Sequence, residues 1–172
     1  MSQVSQRTLP VHIRWMIRRD MQEVLDIESL SFEYAWSEEE FVKCLRERNC
    51  IGMVAEHEDR IAGYMIYEIL NTRLHLLNLA VAPSMRRFGV GRQMIGKLVS
   101  KLTHRRRRQI LLEVRETNLN AQKFFRSLDF KAISLLKDFY EDTTEDAYLM
   151  QYKQQQEAGG FTPVNRIARM AS

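Results

Sequence analysis

The stretch LNLAVAPSMRRFGVGRQM, residues 77–94, constrains this chain more than any other. It opens with an apolar run suited to a strand, which Pro83 ends. A basic turn containing Gly89 and Gly91 follows. Val90, Met94, Ile95, Leu98, Val99 and Leu102 then recur at helical spacing. A strand that passes through a glycine turn into a helix start suits a pyrophosphate. The first N–H groups of a helix have no partners within it, and the helix dipole favours an anion there. Gly89 and Gly91 allow close backbone approach, and Arg87 and Arg92 add charged donors. The same residues also fit a plainer account, a helix opening on two glycines under solvated arginines. The spacing is neither the GK[ST] of a P-loop nor GxGxxG.

Around this segment the chain reads as one α+β domain. His12–Ile17 alternates like a strand, and Asp20 is placed as the N-cap of a helix whose apolar stripe is Met21, Val24, Leu25, Ile27 and Leu30. Ser37 and Glu40 form a capping box for a second helix. Cys50–Glu56, Ile61–Leu70 and Leu74–Val81 read as an antiparallel meander. Beyond the glycine turn come a buried strand at Ile110–Val114, a helix from Asn118 to Leu128 with Phe124, Phe125 and Leu128 inward, and strands near Lys131–Leu136 and Ala147–Tyr152. The domain is expected over residues 10–154, with a loose arm over the first nine residues and a flexible tail over 155–172.

Four segments, in order, resemble one family. Arg86-Arg87-Phe88-Gly89-Val90-Gly91, preceded by Asn78-Leu79-Ala80-Val81, is similar to the Q/R-x-x-G-x-G/A segment and its strand in the GCN5-related N-acetyltransferases (GNAT). LLEVRETNLNAQKFFRSLDF, Tyr34-Ala35-Trp36-Ser37 and FYEDTTEDAYLM resemble segments of that family's ribosomal-protein alanine N-acetyltransferase (RimI-like) branch. Together they span roughly residues 12–152. The resemblance implies a GNAT fold, a mixed, mostly antiparallel sheet of about seven strands flanked by four helices. It also implies acetyl-CoA as co-substrate, and no metal is expected because the sequence shows no metal-ligand constellation.

Residue roles follow from the resemblance. Leu79, Ala80 and Val81 are expected to hold the pantetheine arm through backbone groups, one N–H serving the oxyanion. Arg87, Phe88, Gly89, Val90, Gly91 and Arg92 are expected around the pyrophosphate. Glu113 corresponds to the family's general base; read by itself it is a strand carboxylate that either has this job or pairs with Arg115. Asn118 is a cofactor contact, a helix N-cap, or both. Tyr34, Trp36 and Tyr140 are expected in the acceptor groove, with Trp36 alternatively a staple on Phe41. Two departures stand out. Phe125 occupies the place of the tyrosine that protonates the leaving thiolate, so that role passes to Tyr140 or to water. Asp129 stands where the family has a glycine, in a position that requires a left-handed backbone.

The branch implies as acceptor a protein N-terminal amine, specifically the N-terminal alanine of a small-subunit ribosomal protein. The alternatives are a lysine or small-molecule amine, or an acetyl-CoA-binding module with weak catalysis. No apolar run approaches the roughly 20 residues needed to span a bilayer, and the N-terminal stretch lacks the apolar core of a secretory signal. Two cysteines, one in a helix and one in a strand, argue against a disulfide framework. A cytoplasmic protein with neither a membrane nor a DNA partner is expected. The net charge of +4 is concentrated in Arg86, Arg87 and Arg92 and in Arg105–Arg108. That second run is either a solvated turn or a contact for RNA or the ribosome. His12, His57, His75 and His104 show no ligand spacing.

Overall fold

In the computed structural model, residues 7–103 and 106–155 are described. The expected tail beyond residue 155, together with Arg105 of the arginine run, lies outside them. The elements are β1 (His12–Trp15), α1 (Met21–Ser31), α2 (Glu38–Arg46), β2 (Cys50–His57), β3 (Arg60–Ile69), β4 (Arg73–Val81), α3 (Val90–Val99), β5 (Gln109–Arg115), α4 (Leu119–Arg126), β6 (Lys131–Tyr140) and β7 (Glu145–Lys153). All seven strands form one sheet in the order β1-β2-β3-β4-β5-β7-β6. Neighbours are antiparallel except β4 and β5, which run parallel. This is the α+β layout expected from the sequence.

Tight turn chemistry sets the meander. Between β2 and β3, Glu58 and Asp59 both have positive φ, 47° and 61°. Two such residues make the hairpin turn whose twist matches that of the strands. Two cores lie on opposite faces of the sheet. One gathers Val90, Met94, Ile95 and Leu98 of α3 and Phe125 of α4 over Leu74, Leu76, Ile110 and Leu112. The other gathers Val24 and Ile27 of α1 and Phe41 of α2 over Val54, Tyr64, Ile66 and Ala80.

The feature that shapes the molecule is in β4. Tyr67 faces Leu76 and Ile66 faces Asn78, so Leu77 is an extra residue in the ladder. Such a bulge reverses side-chain parity. Leu74 and Leu76 enter the core under α3, whereas Ala80 enters the core under α1. The parallel pairing with β5 covers only Arg73–His75 against Gln109–Leu111. Past that point β4 and β5 part, leaving the rest of β4 unpaired on that side.

Several local expectations are corrected. Asp20 precedes α1 but makes no cap bond. Its carboxylate instead accepts both terminal guanidinium nitrogens of Arg14, at 2.7 and 2.9 Å, and the Ile17 N–H at 2.8 Å. An ion pair of this quality outweighs a single cap bond. Leu30 is 68% exposed, and Glu28, at 1%, is buried beside Val24 and Ile27. Positions 24, 27 and 28 share one helix face and position 30 does not. Leu9 is not part of a loose arm: its N–H donates to the Phe88 carbonyl at 2.9 Å, and Gln93 Nε2 donates to its carbonyl at 2.7 Å. The amide of Gln93 imitates a strand neighbour. Finally, Cys44 and Cys50 come from the helix and the strand as expected, yet their sulfurs lie 2.8 Å apart as free thiols.

Candidate active site

Where β4 and β5 part, a cavity of about 540 Å³ opens. Its walls include Leu76–Leu79 from β4, Leu112–Arg115 from β5, Tyr34 and Trp36 from the α1–α2 connection, Phe125 from α4, and Tyr140 and Asp142 from the β6–β7 hairpin. Asn118, Glu28 and Glu40 also line it. The structure thus gathers Tyr34, Trp36, Leu79, Glu113, Asn118 and Tyr140 at one place, as the sequence suggests. Residues 87–92 do not line this cavity. They form the turn at the far end of β4, with Arg87, Phe88 and Arg92 exposed.

That turn has a defined geometry. Gly89, at φ 76°, is the N-cap of α3, and Arg87, at φ 69°, is also left-handed. Val90 is 1% exposed, so its side chain belongs to the core and only its backbone faces the turn. Gly91 is closely packed. A Cβ there would lie 3.0 Å from Phe124 Cζ, so the ring of α4 closes over the first turn of α3. Arg86 is engaged elsewhere, donating to the Val81 carbonyl at 3.0 Å and to Ser31 Oγ at 2.9 Å. Arg87 and Arg92 are the arginines that the turn presents.

Glu113 sits near the base of the divergence. Its partner is not Arg115, as one reading of the strand has it, but His75. The two carboxylate oxygens lie 2.7 and 3.0 Å from His75 Nε2. On the other side of the ring, Nδ1 is 3.6 Å from Glu68 Oε2. These contacts, the Glu113 hydrogen bond foremost, raise the His75 pKa above its ordinary value against the opposing effect of burial. Sequence reasoning passed over His75, because three strands must be in register before the three residues meet.

Arg115 lines the cavity at the end of β5. It bonds Asp142 at 2.8 Å, Glu145 at 3.1 Å and Thr143 at 2.9 Å. Its guanidinium sits over the Tyr140 ring at 3.7 Å and near the Tyr34 ring at 5.1 Å. One cation therefore joins the α1–α2 connection to the β6–β7 hairpin. Burial, with carboxylates nearby, pushes the Tyr140 hydroxyl up to about 12, although Arg115 opposes the shift. The Ser37–Glu40 capping box is present as expected, at 2.7 and 3.2 Å. Trp36 packs edge-on against Phe41 at 5.3 Å and also lines the cavity. Asn118 accepts the Ala121 N–H at 3.1 Å as an N-cap and lines the cavity too.

Glu28 is the residue that sequence reasoning missed outright. Its carboxylate accepts the Trp36 N–H at 2.8 Å, Asn78 Nδ2 at 3.0 Å and the Tyr64 hydroxyl. An acid four residues after Val24, on the buried face of α1, was the available signal. Phe125 is 7% exposed and contributes only a hydrocarbon wall, packed against Phe124 and Phe130. Asp129 adopts the expected left-handed backbone at φ 67°. In the arginine run, Arg107 donates to the Leu70 carbonyl at 2.7 Å, tying this turn to the β3–β4 connection.

Comparison with known proteins accords with this geometry. A [ribosomal protein bS18]-alanine N-acetyltransferase of Salmonella typhimurium is 29% identical over 133 residues, covering 76% of this chain and 89% of the relative. An N-alpha-acetyltransferase of Sulfolobus acidocaldarius is 27% identical over 159 residues, covering 85% and 94%. The crystal structure of the ribosomal-protein-S18-alanine N-acetyltransferase from Escherichia coli superposes with a TM-score of 0.76 at 24% identity, covering 88% of this chain and 98% of that one. Residues 21–130 match the acetyltransferase (GNAT) family model, and the chain belongs to that family of acetyl-CoA-dependent N-acetyltransferases.

Proposed function

We propose that this enzyme acetylates the N-terminal α-amine of a protein, and that an alanine-starting protein of the small ribosomal subunit is its acceptor. The observation that carries the reading is the position of Glu113. It lines the cavity at the divergence of β4 and β5 together with Tyr34, Trp36 and Tyr140. The similarity to enzymes named for the bS18 N-terminal alanine supports the finer choice.

The residues present fit acetyl-CoA. Exposed Arg87 and Arg92 and the N–H groups at the start of α3 suit the pyrophosphate. The edge of β4 left unpaired by β5 offers Leu79–Val81 backbone groups to the pantetheine arm, and an N–H of this segment to the thioester oxygen. Asn118 adds a polar contact beside Ala121.

At the other end, an α-ammonium has an ordinary pKa of about 7.7–8.0, so one nearby acceptor suffices to free its lone pair. Glu113 takes that proton, directly or through one water, and the amine nitrogen attacks the thioester carbon. Tyr140 forms the wall that the acceptor's first residue meets. Its hydroxyl, held near 12, is a poor proton source for a thiolate whose ordinary value is about 8.5, so water protonates the leaving group.

The test is turnover on hexapeptides beginning Ala, Ser, Met or Lys. Acetylation of the Ala peptide at its α-amine, collapsing in Glu113→Gln, is expected. Modification of a lysine side chain or a small amine in preference to every α-amine would overturn the reading.

A further inference from the structure

We propose that the end of the sheet away from the acceptor cavity is a docking surface for single-stranded RNA. A file of cations meets its phosphates, and Trp15 offers a platform for a base. The inference does not depend on which amine the enzyme acetylates.

Strand register builds the file. β2, β4, β5 and β6 begin at this end, and β1, β3 and β7 finish there. Arg73, the first residue of β4, faces Gln109 of β5, which in turn faces Lys153, the last residue of β7. Lys131, the first residue of β6, faces Gln151 of β7. On the other flank the Asn49 carbonyl accepts the Ile69 N–H at 2.7 Å, which sets Arg48 beside the end of β3. Arg108 comes just before β5, its carbonyl accepting the Gln154 N–H at 2.8 Å. Arg48, Arg73, Arg108, Lys153 and Lys131 therefore follow one another across the sheet, and all are exposed. With neighbouring strands ~4.8 Å apart, the file runs from β2 to β6 over about 24 Å. The acceptor cavity is lined further along the same strands, by Leu76–Leu79 and Leu112–Arg115, so an occupant here leaves it open.

This surface differs from an ordinary solvated face in its turn, its charge and its aromatic. The turn before β5 is braced. Arg107 spends its guanidinium on the Leu70 carbonyl at 2.7 Å, and the Thr103 N–H donates to the Arg107 carbonyl at 2.9 Å. Arg106 and Arg108 stand exposed on either side of that brace. In the connections at this end the carboxylates are Glu47 and Asp129. Glu68, just inside β3, lies 3.6 Å from His75 Nδ1. Among the described residues, no carboxylate comes within ion-pair distance of Arg48, Arg73, Arg106, Lys131 or Lys153. Like charges set one or two strand spacings apart repel one another, and a chain of phosphates relieves that repulsion.

The aromatic points to an unpaired strand. Trp15 ends β1 at this same end of the sheet and is 68% exposed. A free base stacks on such an indole, whereas the bases of a closed duplex are already stacked on each other. The cations lie in single file, which fits one phosphate chain better than the plane of a bilayer.

The experiment measures binding of fluorescein-labelled oligouridylate to the full chain by fluorescence anisotropy across a salt series. With about four phosphates neutralised, log Kd should rise against log salt with a slope of about 3, weakening binding roughly 50-fold between about 50 and 200 mM. The Arg48→Gln, Arg73→Gln, Lys153→Gln triple variant should bind at least ~10-fold more weakly, with the slope reduced to about 1. Trp15→Ala should weaken binding about 5-fold or more, and Trp15→Phe should recover most of that loss. Melting temperature and acetyl-CoA affinity should stay near wild type in each variant, which shows the fold intact. Undetectable binding, a salt slope near zero, or full affinity in the triple variant overturns the proposal. So does tighter binding to duplex DNA, or to vesicles of phosphatidylcholine and phosphatidylglycerol, than to oligouridylate.

Discussion

Glu28 Oε1 accepts the backbone N–H of Trp36 at 2.8 Å, fastening the middle of α1 to the residue before α2. The other oxygen takes Asn78 and Tyr64. One buried carboxylate thus fixes the α1–α2 lip of the cavity and the bulged half of β4. Glu28→Ala leaves three buried donors without an acceptor. Thermal and urea unfolding should show a loss of about 2–4 kcal/mol, or roughly 5–15 °C in melting temperature. Glu28→Gln keeps an acceptor for one donor and should lose less.

Glu113→Gln should lower kcat by about 10²–10⁴-fold, with the melting temperature and the affinity for acetyl-CoA near wild type. Steady-state kinetics and calorimetric titration of the cofactor check both parts. A matching drop in cofactor affinity would place Glu113 among the binding groups instead.

Tyr140→Phe keeps the ring under Arg115 and removes only the hydroxyl. We expect kcat within about threefold of wild type, because a phenol near 12 donates poorly to an ordinary thiolate. A fall of a hundredfold would make Tyr140 the acid that Phe125 cannot be.

Asp20 is held well below the usual carboxylate range, first by its hydrogen bond with Arg14. A depressed folded-state pKa gives stability that is complete above the unfolded-state value of about 3.9 and is lost as pH falls through the folded-state value. Asp20→Asn should therefore be less stable than wild type at pH 7 by about 1–3 kcal/mol, since the pair is nearly buried on the Asp20 side. Urea denaturation at pH 7 and at pH 2.5 should show that difference shrinking in acid.

Cys44 and Cys50, the chain's two cysteines, are both shifted upward, chiefly by burial. The reactive form is the thiolate. Ellman's reagent at pH 7.5 should label the native protein at least ~10-fold more slowly than the urea-unfolded protein. Equal rates would contradict the burial of Cys50 and the partial burial of Cys44.

What the sequence made legible divides along a physical line. Elements announced by local chemistry were readable: the Ser37–Glu40 box, the turn before β3, the glycine start of α3, and Asp129 in its left-handed position. Glu113, Tyr34, Trp36, Asn118 and Tyr140 were readable through short motifs, and they do meet at the cavity. The unreadable parts are pairings at a distance. Glu113 with His75, Arg115 with Asp142, Asp20 with Arg14 and Glu28 with Asn78 each depend on strand register or helix placement, which no window of residues encodes. The bulge at Leu77 was invisible for the same reason. A run of leucines alternates equally well in either parity.

That bulge also sets what insertions and deletions this chain can survive. A deletion at Leu77 would restore simple alternation and remove the bulge, yet leave Asn78 opposite Ile66 on the Glu28 face and Ala80 in its core. An insertion between Asn78 and Val81 would shift the arm-binding segment against the Glu113 end while leaving Arg73–His75 in place. Over evolutionary time, loops such as Asn71–Thr72 are free to change length, whereas the span from Asn78 to Val81 must keep its residue count even as its side chains drift.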